Sequence, residues 1–254
     1  MDELDEELSE DLSQASRPPR LEFIYEDADL VVINKPAHLL SVPDRFGPGI
    51  FNLYNLLQDK YGEIYIVHRL DKDTSGVIIF AKNSESHRKL STAFEDRKVT
   101  KRYWAIVLGA VGTEGEIDLP IGEDPHRPGK MCIDTENGKP SLTHYRLKES
   151  LGDYSLLELE PHSGRTHQIR VHLKAIGHPL LVDPLYGSRS ELLLSSLKRK
   201  YKQKPEKAER PLIGRLTLHA AYLELDHPSS AARLSWEVPL PKDMRSTIKQ
   251  LKNL

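Results

Sequence analysis

The stretch VHRLDKDTSGVIIFAK, residues 67–82, puts the carboxylate of Asp71 next to two basic residues, His68 and Arg69. It then runs through Thr74-Ser75-Gly76 into a line of strand formers. A carboxylate on such a turn can serve as a base or a nucleophile, provided it stays ionised where little water reaches. Burial raises a carboxyl pKa and a nearby cation lowers it, so the flanking cations are what the chemistry needs. Taken singly, Asp-Lys-Asp in a turn is an ordinary structural ion pair. A second dense segment therefore matters: PHSGRTHQIRVHLKAIGHPLLVDPLYG, residues 161–187. Its spacing predicts a helix over 166–176, with Ile169, Leu173 and Ile176 as an apolar stripe and His167, Arg170 and Lys174 as a basic stripe facing away from it. Ser163-Gly164 stands where an N-cap belongs, and the positive helix start would hold an anion there.

Other chemistries fit these residues poorly. His162, His167, His172, His178 and Asp183 suggest metal ligands, but His167 and His172 are five apart and face different ways on a helix or a strand. No G-x-S-x-G elbow is present. The single cysteine, Cys132, excludes an internal disulfide framework and a cysteine-built zinc site, and a reducing, cytoplasmic setting follows as the expectation.

The elements that must position these groups are mostly strands. Residues 23–25, 30–33, 64–67, 77–81, 102–108, 117–119, 142–147, 155–159, 216–225 and 233–238 read as strands. Helices are expected over 51–61, over 84–96 with Ser84 as N-cap, and over 166–176 with Gly177 as its stop. Strands outnumber helices and do not alternate with them. The expected fold class is therefore α+β, a mainly antiparallel mixed sheet flanked by helices and loops. The chain of 254 residues is long enough for a substantial core and shows no internal repeat or linker, so 21–254 reads as one domain.

Net charge is −2, but residues 1–20 hold seven acids and two arginines, a balance of −5, and read as a disordered acidic tail. Two stretches are basic: 82–102, with seven basic and three acidic residues, and 189–215, with nine and three. The second contains Lys198, Arg199, Lys200, Lys202 and Lys204 around Tyr201, a pattern suited to neutralising phosphates and stacking on a base. No apolar run approaches the ~20 residues a membrane span needs, and no apolar segment near the start reads as a signal peptide.

Together, HRLDKDTSG (68–76), KRYWAIV (101–107) and SGRTHQIRVHLKAIGHP (163–179) resemble the three signature segments of the RluA-type pseudouridine synthases. LVVINKPAHLLSV (30–42), LPIG (119–122), GKPSLTHYR (138–146), LVDPLYG (181–187) and LTLHAAYLELDHP (216–228) follow in the family's order. The likeness spans residues 21–241. It implies the pseudouridine synthase catalytic fold, with an active-site cleft across the sheet, and isomerisation of uridine in RNA without cofactor or metal.

Carried over by position, Asp71 is the essential carboxylate, and its attack on C1′ or removal of a C2′ proton are both open. Arg170 is its partner, and Tyr103 lies against the uracil. Arg69 fills the space of the extruded base and Ile169 walls the pocket. His68, Thr74 and Arg165 shape the loop or touch phosphates. The implied partner is ribosomal or transfer RNA, with no obligate protein partner and a monomeric state as the default. Two positions depart from the family: His38 stands where it usually has Gly, and Glu123 where it usually has Arg. Many relatives carry an RNA-binding module ahead of the catalytic domain. Here only the acidic leader precedes it, so RNA recognition is expected from the catalytic domain itself. A non-catalytic RNA-binding protein on the same fold is the alternative. A hydrolase is disfavoured for want of a second carboxylate in a matching motif.

Overall fold

The computed structural model describes residues 19–43, 50–198, 201 and 208–254. Most of the acidic leader lies outside these residues. So do Arg199, Lys200, Lys202 and Lys204.

Twelve strands and four helices make up the described chain. Two antiparallel blocks meet at one parallel junction. The first block contains β1 (Glu22–Glu26), β2 (Leu30–Lys35), β3 (Tyr65–Ile66) and β4 (Ser75–Ala81). The second contains β5 (Thr100–Leu108), β6 (Glu114–Asp118), β9 (Leu142–Ser150), β10 (Tyr154–Pro161), β11 (Leu218–Asp226) and β12 (Arg233–Glu237). The order across the sheet is β1-β2-β4-β11-β5-β10-β9-β6, with β3 on β4 and β12 on β11. A separate hairpin, β7 (Ile121–Glu123) with β8 (Met131–Ile133), stands outside the main sheet. The α+β class and the mixed, mainly antiparallel sheet are as expected.

The parallel junction is short, pairing Ser75 with His219 and Gly76 with Ala220. Gly76 has φ of 121°, and a Cβ there would lie 2.1 Å from the carbonyl oxygen of Ala220. Only glycine admits both that backbone and that approach.

Helix α1 (Leu53–Tyr61) is capped by Asn52, and α2 (Ser84–Glu95) by Asn83 rather than Ser84. The Asn83 side chain accepts from the N–H of Ser86, as an N-cap should. Helix α3 (Gln168–Ala175) lies on the face of the central strands that carries Ala105, Leu157, Leu159 and Leu218, with Ile169 and Leu173 packed among them. On the opposite face, Met244, Ile248 and Leu251 of α4 (Lys242–Leu251) pack with Ile106 and Leu156.

Helix α3 departs from its sequence reading in two ways. It starts at Gln168, because the Gln168 side chain is tied back to the preceding turn: Oε1 accepts from Ser163 Oγ (2.7 Å) and from the N–H of Arg165 (3.2 Å). His167 occupies the N-cap position with left-handed φ of 56° and no capping hydrogen bond, so Ser163-Gly164 is not the cap. The basic stripe also does not face water. Gln168 to Leu173 are all buried, Arg170 included, and of the three cations only Lys174 is exposed.

Replacing Gly76 by Ala should cost about 3 kcal/mol or more, since two backbones would have to separate. Urea midpoints of wild type and variant measure this, and a loss below about 1 kcal/mol would contradict the tight junction.

Candidate active site

The loop carrying Asp71 is fixed from below before it enters β4. Lys35, fully buried at the end of β2, donates from Nζ to the carbonyls of Pro36 (3.0 Å), Leu39 (2.7 Å) and Lys72 (3.0 Å). Burial drags its pKa down to about 7, although Asp73 and Asp71 pull it back upward. Ser41 Oγ donates to the carbonyl of Leu70 and accepts from its N–H, while the N–H of Thr74 closes the turn on the carbonyl of Asp71. His38, whose φ is 65°, sets Nδ1 2.9 Å from Asp73 Oδ1. The left-handed backbone accounts for the family's glycine at this position. The histidine found here reaches the loop that carries Asp71.

Arg170 meets this loop from α3. Its Nη1 donates to Asp71 Oδ2 at 2.9 Å. Its Nε and Nη2 donate to the two oxygens of Asp183 at 2.8 and 2.9 Å. Asp183 is buried and accepts further from the N–H groups of Leu185 and Tyr186. Burial pushes its carboxyl upward, but the Arg170 guanidinium and those N–H donors outweigh it and hold the pKa below the ordinary carboxylate range. Burial likewise opposes the Arg170 charge, and Asp183 and Asp71 more than compensate. The Arg170 plane is thus set by Asp183, and one N–H remains to hold Asp71. Among the described residues, Asp71 Oδ1 takes no hydrogen bond. His167 places Nε2 3.8 Å from Oδ2, while its Nδ1 lies 2.9 Å from the Tyr186 hydroxyl.

Asp71, His167 and Arg170 border a cleft of about 340 Å3 beside the parallel junction, a size suited to a small ligand or one nucleotide. Asp71, Arg69, His68, Thr74, Tyr103, Arg165, Ile169 and Arg170, all singled out in the sequence, line it. Tyr103 is half-buried on β5, and burial, then the charge of Asp71, raises its pKa and keeps the phenol protonated. Ile169, Pro161 and Leu218 supply apolar wall. Arg69 is exposed at the cleft, whereas Thr74 is buried.

His68 is not the cation its sequence neighbourhood suggested. Its Nε2 accepts from the N–H of Ile79 at 3.2 Å, its ring stacks on Phe94, and burial plus the charge of Lys101 push its pKa to about 3. Lys198 is exposed and does not line the cleft, while Tyr201 borders a separate cavity of about 740 Å3 with Arg20, Arg210 and Lys242.

Sequence reasoning missed Asp183 as the anchor of Arg170. It also missed Lys35, Lys101 and Tyr186, although all four fall within quoted segments. The histidines considered as metal ligands are engaged elsewhere: His172 bonds Thr143 and the Leu119 carbonyl, and His178 the Leu108 carbonyl. Asp27, Asp29 and His227 do cluster, yet they tie the β1–β2 turn to the β11–β12 turn. Asp27 accepts from Tyr25 and from two backbone N–H groups, and His227 Nε2 lies 2.9 Å from it.

The chain matches the RNA pseudouridylate synthase family over residues 29–175. It is 38% identical over 253 residues to the ribosomal large subunit pseudouridine synthase D of Nitrosomonas europaea, covering 96% of this chain and 69% of that protein. It is 39% identical over 235 residues to the protein of the same name in Pseudomonas aeruginosa, covering 88% and 69%. Among solved structures it resembles human RNA pseudouridylate synthase domain containing 4, with a TM-score of 0.71 at 27% identity, covering 96% of this chain and 95% of that one. Human RNA pseudouridylate synthase domain containing 1 gives 0.67 at 30% identity, covering 89% and 86%.

Asp183→Asn should destabilise the protein by about 3–5 kcal/mol at pH 7, because it strips a buried guanidinium of its main counter-charge. The Asp183 pKa is lowered on folding. Its contribution is therefore complete above the unfolded carboxyl pKa of about 4 and is lost as pH falls through the folded value. The stability gap between wild type and Asp183→Asn, followed by urea denaturation, should accordingly narrow below about pH 4. A gap that widens on acidification would contradict the assignment.

Proposed function

This chain belongs to the RNA pseudouridylate synthase family, and from that premise we propose that it isomerises particular uridines of structured RNA to pseudouridine, with Asp71 as the essential carboxylate. The observation that carries the reading is the Asp183–Arg170–Asp71 relay at a cleft of nucleotide size. It holds one oxygen of a partly buried carboxylate that lines the cleft and leaves the other without a hydrogen bond among the described residues.

In the reaction the C1′–N1 bond breaks and C5 bonds to C1′. The proton on C5 leaves and N1 ends protonated, so no atom is gained or lost. Asp71 begins it through Oδ1, by attack on C1′ or by taking the C2′ proton. Arg170 holds Asp71 by Oδ2 and aims it. Tyr103, protonated beside Asp71, lies against the uracil and relays the proton that C5 gives up by handing its own hydroxyl proton to water as it takes that one, so the phenol ends as it began. Ile169, with Leu218, bounds the detached ring, which has to turn without escaping. Arg69 occupies the place vacated when the nucleotide leaves its stack, a step required because a stacked base hides its glycosidic bond. The names of these bacterial relatives favour ribosomal RNA as the substrate. The basic segment from Lys198 to Lys204 is proposed as an added RNA contact. The composition, with one cysteine, supports work in the cytoplasm.

RNA labelled with tritium at uridine C5 tests the proposal. Wild type should release tritium to water, and Asp71→Asn should lower that rate by about 10²–10⁴-fold or more while still binding RNA. Release of free uracil would point to hydrolysis, and RNA binding with no release by wild type would point to a binding protein. Mapping pseudouridine in cellular RNA with and without the gene identifies the site.

A further inference from the structure

The cleft has a cationic end that the chemistry at Asp71 does not use. Lys101 lies two residues before Tyr103 on β5, so both side chains point to the same face, about 7 Å apart along the strand. Both line the cleft. Lys101 is half-buried, and its Nζ makes one hydrogen bond, to the carbonyl of Ser163 at 3.2 Å. No carboxylate of the described residues lies within ion-pairing distance of it. Burial lowers its pKa to about 8, and the charge of Arg97 pushes the same way.

Next to it, Arg165 lines the same end of the cleft. Its Nε is buried and has no hydrogen-bond partner among the described residues. Between them stands exposed Gly164, at which even a Cβ would come only within 4.0 Å of Lys101 Nζ, so the amine is open on that side. His68 beside Lys101 is neutral, and Glu95 is the one other acid that lines the cleft besides Asp71. A half-buried ammonium with no carboxylate partner and an unanswered guanidinium N–H at one end of a pocket favour an anion between them.

We propose that Lys101 and Arg165 form a phosphate subsite that grips a backbone phosphodiester flanking the target uridine. This rests on the RNA isomerase reading and adds to it the group that seats the nucleotide. With the uracil against Tyr103, the next ligand along β5 is at the distance of the nucleotide's own phosphate. The grip sets where C1′ falls relative to Asp71. It uses the charge of the RNA strand, which every sequence carries, so it positions the nucleotide without reading its neighbours.

The test is a double-mutant cycle on an oligoribonucleotide bearing the mapped target uridine. It is made in three forms: unmodified, and with a neutral methylphosphonate linkage on either side of that uridine. On unmodified RNA, Lys101→Met should lower kcat/KM by about 10–100-fold, and Arg165→Gln by a similar factor. One of the two methylphosphonate substrates should cost wild type a comparable factor. With that substrate, Lys101→Met should cost little further, so the two losses do not multiply. Lys101→Arg, which keeps the charge, should recover part of the loss. In binding measurements, Lys101→Met should flatten the log–log salt dependence by about 0.7, one phosphate contact on a single strand.

Equal losses for Lys101→Met on all three RNAs would overturn the subsite and leave Lys101 as a brace for the Ser163 carbonyl. Failure of wild type to convert the unmodified RNA would remove the isomerase reading, and the subsite with it.

Discussion

One guanidinium sits between two carboxylates, and the site is organised around it. Arg170 is buried on α3, where a lone charge would be strongly disfavoured, and Asp183 answers it with two hydrogen bonds. Taking such a pair out of water returns little net stability, so its value lies in geometry. The bidentate contact fixes the plane of the fork, and Nη1 then points one way, to Asp71. Asp183 is itself fixed by the N–H groups of Leu185 and Tyr186, and α3 is held to the sheet by Ile169 and Leu173. The position of one oxygen of Asp71 is thereby tied to the packed core.

The other side of the problem is the loop that presents Asp71. It crosses the end of the sheet where two antiparallel blocks meet through two parallel residue pairs, and it has no ladder of its own. Its carbonyls are held by Lys35 and Ser41, groups supplied by β2 and the chain just beyond it. Gly76 lets β11 close against β4 at the same place. The cleft is therefore a consequence of the fold: a junction with few pairings, a loop stapled from below and a helix that closes it from above.

Much of this could be read from the chain. Apolar runs such as residues 102–108 and 155–159 are strands that pair in register, Ala105 with Leu157 and Tyr103 with Leu159. Asp71, Tyr103 and Arg170 were marked by segments resembling a family, and the fold brings all three to one cleft. Periodicity misled on α3, because a basic stripe normally faces water. Arg170 faces inward only because Asp183 waits there on an irregular segment that no period reveals. His68 looked charged beside Asp71, yet burial and Lys101 make it neutral. Helix α4 was left unread although Met244, Ile248 and Leu251 follow helical spacing. The hairpin β7–β8 has three residues in each strand, too few for alternation to register.

The geometric claim separates from a purely electrostatic one in a single substitution. Arg170→Lys keeps the positive charge but cannot hold both oxygens of Asp183 and reach Asp71 at once. Single-turnover conversion of the mapped uridine, measured on protein shown to be folded and RNA-bound, should fall by about 10²-fold or more, the cost expected of a small misplacement of the reacting group. Conversion at the wild-type rate would mean that charge alone suffices, and the fixed placement of Asp71 by Arg170 would then not be what drives the reaction.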